Sequence, residues 1–147
     1  TFITEGNSRN DLASHVYDIT YGSITPNVDN LVIIDDSIVR GTTSKQLLDL
    51  VKESEPAEIH FLVGCPPVIA PCFYGVAMAT KEELIAANYS IEEIKEQLDI
   101  DSLGYITLEA LVEAIGMPKE DLCLGCLNEE YPTELPEGLV AETYYKP

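Results

Sequence analysis

Basic residues are scarce in this 147-residue sequence, which has 8 Lys and Arg against 26 Asp and Glu and a formal net charge of −18. A surface this acidic repels nucleic-acid backbones and anionic membranes, so we expect neither as a partner. No run approaches the roughly 18 consecutive apolar residues that a membrane span requires, and the first residues lack the basic, hydrophobic character of a signal peptide. The sequence therefore predicts a cytoplasmic protein of one-domain size, in which local fields must bind any anionic substrate.

Cysteine is also sparse, with four residues at Cys65, Cys72, Cys123 and Cys126. Without a secretory signal, four cysteines favour a metal or redox role over a disulfide framework. The first residue is Thr1 rather than a methionine, and we therefore expect the chain to be a piece of a longer protein. No side chain stands out as a nucleophile, so we predict no catalytic residue within this chain.

The most informative stretch, residues 31–44, reads LVIIDDSIVRGTTS. Its first four residues are apolar, and such a continuous run predicts a strand of a parallel sheet that is buried on both faces. After Ser44 the apolar positions change to a helical period, at Leu47, Leu48 and Val51. The stretch therefore predicts a strand, an acidic tip, a tight glycine-containing loop and the N-terminus of a helix.

This arrangement suits a phosphorylated ribose. The carboxyl end of a parallel strand opens onto the ligand crevice, and the N–H groups of the following helix point into it. Together with the helix dipole and the hydroxyls of Thr42 and Thr43, these groups form a site for a phosphate, which Gly41 allows the backbone to approach. Asp35 and Asp36 would repel a phosphate in direct contact, so we place them on ribose hydroxyls or on a Mg²⁺ ion that bridges to a second phosphate group.

Local patterns predict the remaining elements. In chain order they are a long loop over residues 1–30, a helix at about Thr43–Glu53, a strand at Ile59–Val63, irregular structure over 68–78, a short strand over 102–107, a helix at Leu108–Ile115 and an irregular tail over 121–147. Capping-box spacing predicts two further helix starts, at Thr80 with Glu83 and at Ser90 with Glu93. We expect the apolar faces of the three short helices, which follow Thr80, Ser90 and Thr107, to belong to the core.

Cys123 and Cys126 form a C-x₂-C pair, in which two thiolates on one turn can reach a single metal ion or cluster. Gly125, between them, would ease the turn. The spacing alone leaves three interpretations open, which are an ordinary buried turn, a zinc site and an iron–sulfur site.

The string DDSIVRGTTS resembles the phosphoribosyl pyrophosphate (PRPP) motif of the type I phosphoribosyltransferases, in the variant of the glutamine amidophosphoribosyltransferases. The resemblance extends from Thr1 to about Glu134. It implies an α/β fold, namely part of a type I phosphoribosyltransferase domain with a Rossmann-like parallel sheet, followed by a helical and irregular C-terminal region. Residues 1–116 would be the C-terminal part of that domain, with a flexible lid loop at 1–30 and the PRPP motif at 31–44, and residues 117–147 a cysteine-bearing tail.

The resemblance also implies a role for each motif residue. Asp35 and Asp36 would engage the ribose hydroxyls and Mg²⁺. The 5-phosphate of PRPP would be held by Ser37, Ile38, Val39, Arg40, Gly41, Thr42 and Thr43. Enzymes of this family make 5-phosphoribosylamine from PRPP and glutamine in the first step of purine synthesis. They take ammonia from a glutaminase domain that this sequence does not include. Purine nucleotides as feedback inhibitors and a homo-oligomer of the full-length protein are further implications.

Three other segments match the branch of the family, similar to the Bacillus and vertebrate enzymes, that carries a [4Fe–4S] cluster. They read PCFYG at residues 71–75, CLGC at 123–126 and YPT at 131–133. The resemblance makes Cys72, Cys123 and Cys126 cluster ligands, with a fourth ligand upstream of this sequence. Cys65 matches no ligand position, and we expect it to be a core cysteine.

Two other functions would share the acidic pair. A non-catalytic PRPP-binding regulator would reuse the fold, but such regulators usually carry a nucleic-acid-binding module, which the net charge of −18 disfavours. Another type I phosphoribosyltransferase, such as a nucleobase salvage enzyme, would not need the cysteine set.

Overall fold

The fold is built on a parallel sheet. The computed structural model describes residues 19–20, 22–75 and 80–135. Within these residues the sheet has three strands in the order β1 (Asn30–Asp35), β2 (Glu58–Val63) and β3 (Ser102–Tyr105). Asp35 lies opposite Val63, and Val63 lies opposite Tyr105, so all three strands end at the same edge of the sheet.

Short helices connect and follow the strands. They are α1 (Thr42–Lys52), α2 (Ile85–Asn88), α3 (Ile91–Leu98), α4 (Leu108–Ile115) and α5 (Gly125–Asn128), with 3₁₀ turns at Lys81–Glu83 and Lys119–Asp121. The predicted α/β order is confirmed. Strands begin at residues 30, 58 and 102, and helices begin at residues 42, 91 and 108. In the part of the chain that the structure describes, no helix is long and apolar enough to cross a membrane.

The core lies on one face of the sheet. Leu48 of α1, Phe61 of β2 and Ile94 of α3 are each 0% exposed, and they belong to one apolar cluster with Val51 and Leu98. Helices α1 and α3 therefore pack on the same face of the sheet, the one that carries Phe61. Removing this apolar area from water is the main source of stability for the α/β unit.

The opposite face of the sheet is open, which makes the prediction that β1 is buried on both faces wrong. Val32 and Ile34 of β1 are 54% and 76% exposed, and Leu62 of β2 is 45% exposed. Alternate side chains of a strand point to opposite faces, and in the described residues the helices cover only one of them. A continuous apolar run therefore shows that both faces can be buried, but not that this part of the chain buries them.

One of the two predicted capping boxes forms. The Ser90 hydroxyl accepts a hydrogen bond from the Glu93 N–H at 3.3 Å, and the Glu93 carboxylate accepts from the Ser90 N–H at 2.8 Å, which lowers the pKa of Glu93. The prediction of a capping box at Thr80 is wrong, because the Thr80 side chain makes no capping hydrogen bond. The turn that follows it is 3₁₀ rather than α-helical, and its Glu83 carboxylate accepts from the Arg40 guanidinium at 3.0 Å instead.

Helix α4 begins and ends as predicted but is not part of the core. The Thr107 hydroxyl accepts from the Ala110 N–H at 3.2 Å, and Gly116, at φ 72°, ends the helix in a left-handed conformation. However, none of its eight residues is buried, and Ile115 is 45% exposed. The helical period identified an apolar stripe without identifying a partner that covers it.

The prediction of an irregular tail over 121–147 is also wrong in part, because residues Gly125–Asn128 form helix α5. Most of the predicted lid loop lies outside the described residues, as do residues 76–79 and 136–147. The domain boundary at residue 116 stays a prediction.

The two capping positions give a matched test of stability. Ser90→Ala should lower the free energy of unfolding by about 1 kcal/mol, because it removes a side chain that accepts from the first turn of α3. Thr80→Ala should change it by less than about 0.5 kcal/mol, because the Thr80 side chain makes no capping hydrogen bond. Urea unfolding followed by circular dichroism measures both values, and equal losses would contradict this account.

Candidate functional site

Two carboxylates lie where β1 ends. Asp35 is the last residue of the strand and is partly buried, whereas Asp36 is exposed. The Asp36 N–H donates to Asp35 Oδ1 at 2.9 Å, and the Ser37 hydroxyl donates to Asp36 Oδ1 at 3.3 Å. The Gly64 N–H donates to the Asp35 carbonyl at 2.9 Å and thus extends the pairing of β1 with β2 to the edge of the sheet. The predicted acidic tip therefore stands at the carboxyl edge, where ligands bind in open parallel sheets.

A tight loop joins this tip to α1. Ile38 anchors the loop in the core at 1% exposed, and Gly41 occupies the N-cap position with φ 78°. Gly41 has no side chain to accept from the first N–H groups of α1, and the first turn carries no acidic residue. Thr42 and Thr43 are exposed in this turn. An uncapped helix N-terminus with adjacent hydroxyls is suited to bind an anion such as a phosphate.

A second segment contacts this loop from outside. The Ile85 N–H donates to the Val39 carbonyl at 2.9 Å. The Ile85 side chain lies so close to Gly41 that a Cβ at Gly41 would stand 2.7 Å from Ile85 Cδ1. The backbone freedom of Gly41 is evident from the sequence, but the role of Ile85 is not, because no local pattern links residues 41 and 85.

The four cysteines follow β2 and occupy the region around α5. Burial raises the pKa of the Cys126 thiol, and the nearby thiols of Cys72 and Cys123 raise it further. Burial also raises the pKa of Cys65, with smaller effects of Cys126 and Asp36. Cys65 is only partly buried, so it is not the fully buried core cysteine that the sequence predicts. The fold thus brings Cys65 near both Cys126 and Asp36, and Cys126 near Cys72 and Cys123.

The chemistry of these side chains suits metals, but the structure does not arrange them around one. Thiolates are the ligands that iron–sulfur clusters and zinc prefer, and carboxylate oxygens suit Mg²⁺. Among residues 19–20, 22–75 and 80–135, however, no group of three or more His, Cys, Asp or Glu side chains is placed to hold a metal ion. The ligand assignments at Asp35, Asp36, Cys72, Cys123 and Cys126 therefore stay predictions.

Tyr131 attaches the cysteine-bearing tail to the loop around Cys72. Its hydroxyl donates to the Pro71 carbonyl at 2.7 Å, and its ring meets that of Phe73 edge-to-face with the centroids 5.1 Å apart. A Cβ at Gly125 would overlap the Tyr131 ring, so Gly125 is needed for this approach rather than for the turn. The YPT segment marked Tyr131 in the sequence without indicating its partners.

Backbone hydrogen bonds reinforce this attachment. The Cys126 carbonyl accepts from the N–H groups of Ile69 and Ala70, at 2.9 and 3.1 Å. The tail is therefore held against the loop by packing and hydrogen bonds that involve no metal.

The parallel sheet, the acidic tip at its carboxyl edge and the uncapped N-terminus of α1 define the chain as part of a type I phosphoribosyltransferase-like α/β protein. Solved structures agree: the chain matches the glutamine PRPP amidotransferase of Bacillus subtilis, complexed with ADP and GMP, with a TM-score of 0.75 and 33% identity over 97% of this chain and 32% of that one. A second neighbour, described as the allosteric regulatory enzyme of purine biosynthesis, matches with a TM-score of 0.74 and 32% identity over the same shares.

Sequence comparison leads to the same family. The chain is 54% identical over 109 residues to the amidophosphoribosyltransferase of Methanothermobacter thermautotrophicus, a match that covers 74% of this chain and 23% of that protein. It is 40% identical over 114 residues to the amidophosphoribosyltransferase of Bacillus subtilis, over 75% and 24% of the two chains. No family model matches the chain. The chain is thus a homologue of the amidophosphoribosyltransferases and spans about a quarter of the length of these relatives.

Two glycines with positive φ provide a test of the loop. Gly41→Ala should destabilise the protein by about 1 kcal/mol more than Gly116→Ala, because its methyl group would also press on Ile85. Gly116, at φ 72°, has no atom within 4 Å of an added Cβ, so its substitution adds only backbone strain. Urea unfolding of the two variants measures the difference, and equal losses would show that Ile85 does not constrain the loop.

Proposed function

We propose that this chain is the PRPP-binding part of an amidophosphoribosyltransferase, which makes 5-phosphoribosylamine from PRPP and glutamine at the start of purine synthesis. The single observation that carries the proposal is the connection from β1 to α1, which places an acidic tip and an uncapped helix N-terminus within seven residues of each other at the carboxyl edge of the sheet. The homology to amidophosphoribosyltransferases supports it.

In this proposal the chain binds and orients the substrate. The backbone N–H groups of residues 37–43 and the hydroxyls of Ser37, Thr42 and Thr43 hold the 5-phosphate, and Asp35 and Asp36 accept hydrogen bonds from the ribose hydroxyls. Ammonia derived from glutamine attacks carbon 1 of the ribose while the bond to pyrophosphate breaks. No side chain of this chain forms a covalent bond, because fixing the sugar in the geometry for displacement is a sufficient contribution.

Mg²⁺ would be held at Asp35 and Asp36. Each carboxylate uses one oxygen, Oδ1, in the hydrogen bonds described above, which leaves Oδ2 for a ligand. When bound, the ion would neutralise the pyrophosphate leaving group.

Cys72, Cys123 and Cys126 would hold three corners of a [4Fe–4S] cluster in the longer protein. The thiols of Cys72 and Cys123 raise the pKa of Cys126, which supports the proximity of all three. Because that pKa is raised, binding to iron would release a proton from Cys126, and loading should be favoured at higher pH. The cluster would have a structural role, since none of the three cysteines belongs to the proposed substrate-binding residues 35–43.

The description of one solved neighbour supports purine nucleotides as further ligands, because that enzyme was complexed with ADP and GMP. The alternatives, a non-catalytic PRPP-binding regulator or another type I phosphoribosyltransferase, are less well supported. Both of the curated relatives compared above are amidophosphoribosyltransferases. A homo-oligomeric state and a cytoplasmic location stay predictions.

Thr43→Val tests the phosphate site in the longer protein. It removes one hydroxyl donor next to a charged group, which should weaken PRPP binding by about 1–3 kcal/mol, or roughly 5- to 150-fold. Thr43→Ser is the matched control and should bind as the parent protein does, because it keeps the hydroxyl. Isothermal titration with PRPP and Mg²⁺ measures both, and an unchanged affinity of the valine variant would refute the assignment.

The metal content of the longer protein tests the cluster. Purified without oxygen, it should contain about four irons per chain with the brown absorbance of a [4Fe–4S] site. Cys126→Ser should lose the iron, whereas Cys65→Ser should retain it. The 147-residue chain alone, which has three of the ligands, should not hold the cluster. A colourless anaerobic protein with one zinc per chain would refute the iron–sulfur assignment but keep the cysteines as ligands.

A further inference from the structure

Residues 81–88, which comprise the first 3₁₀ turn and α2, lie against the loop that joins β1 to α1. Two polar contacts join the segments: the Ile85 N–H donates to the Val39 carbonyl at 2.9 Å, and Glu83 Oε2 lies 3.0 Å from Arg40 Nη2. The side chain of Ile85 fills the space next to Gly41. The loop is therefore held at three successive residues, immediately before α1 begins.

The segment that provides these contacts is itself well fixed. The side-chain amide of Asn88 donates to the carbonyls of Lys81, Glu82 and Leu84 at 3.0, 3.2 and 2.8 Å. Leu84 is 1% exposed and so anchors the turn in the interior. Glu83 is thus presented to Arg40 from a fixed support rather than from a flexible surface loop.

The pair also determines where the charge of Arg40 points. Arg40 is the single basic residue of the string DDSIVRGTTS, and a guanidinium is a strong ligand for phosphate. In this structure the guanidinium is paired with the Glu83 carboxylate of the neighbouring segment. The side chains of Arg40 and Glu83 are 30% and 44% exposed, so the pair is partly screened by solvent.

We propose that Glu83 is a positioning residue of the PRPP site, which acts through Arg40 to hold the phosphate loop in its binding conformation. The proposal rests on the function proposed above. The contact keeps residues 39–41 in place, so that the N–H groups ahead of α1 already converge before substrate arrives. Preorganisation of this kind strengthens binding because the loop loses less conformational entropy when the substrate binds. It acts equally on the bound substrate and on the transition state, and therefore affects KM rather than kcat.

Glu83→Gln in the longer, active protein tests this role. We expect KM for PRPP to rise about two- to fivefold, as suits a partly exposed ion pair, with kcat unchanged. Glu83→Asp, whose shorter side chain does not reach Arg40, should give the same shift and serves as a second variant should the first not fold. In the Arg40→Gln background, Glu83→Gln should have no additional effect, because the partner through which it acts is already absent.

Glu129→Gln is the matched control. It removes an ion pair of the same kind, from Glu129 to Lys81 at 2.6 Å, at the other end of the same 3₁₀ turn but away from the phosphate loop. Its KM for PRPP should equal that of the parent protein. A general loss of structure would instead lower the melting temperature and kcat in both variants.

Several results would overturn the proposal. An unchanged KM in Glu83→Gln, an additive effect in the Arg40→Gln background, or an equal rise in Glu129→Gln would each do so. A lower KM would mean that Arg40, once released, binds the phosphate directly. The Thr43 variants separate this inference from the proposed function: if Thr43→Val weakens PRPP binding and Glu83→Gln does not, only the role of Glu83 fails. If neither matters, the PRPP site itself is wrong.

Discussion

The left-handed turn at Gly41 is the constraint on which the geometry of the site depends. It converts the direction of β1 into that of α1 within six residues of Asp35, and it leaves the first N–H groups of the helix without a capping side chain. The turn also brings Gly41 into close contact with Ile85, and a Cβ at Gly41 would force the end of that side chain to shift. Much of the surrounding structure serves this turn: Ile38 and Leu48 fasten the loop and the helix to the core, and the ladder between β1 and β2 fixes the acidic tip.

The cysteine-bearing tail is placed by different forces. An aromatic contact, the Tyr131 hydroxyl and the doubly accepting carbonyl of Cys126 hold it to the loop around Cys72. These interactions join the segments that carry Cys72 and Cys126 without the help of a metal. A cluster bound there would reinforce an existing attachment, so its role need not be to create the fold of the tail.

Sequence reasoning succeeded where the determining contacts are local. The strand before Asp35, the helix after Gly41 and the capping box at Ser90 each depend on residues within one or two turns, and each was found. It failed where a partner lies far along the chain. Thr80 has the spacing of a capping box, but its Glu83 binds Arg40, which is 43 residues away. Tyr131 contacts Pro71, 60 residues away, and no period or spacing encodes that contact. Likewise, the exposure of Val32 and of α4 depends on what covers a surface, which an apolar pattern cannot specify.

The open face of the sheet has a consequence for behaviour in solution. Exposed apolar side chains on this face, at Val32, Ile34 and Leu62, form the kind of surface through which protein molecules associate. The net charge of −18 opposes that adhesion, because two copies repel each other as they approach. This repulsion extends only about one Debye length, roughly 8 Å at physiological ionic strength and 3 Å at 1 M salt. The colloidal stability of the chain therefore depends on the balance between short-range hydrophobic attraction at this face and screened charge repulsion. Higher ionic strength shifts that balance toward association.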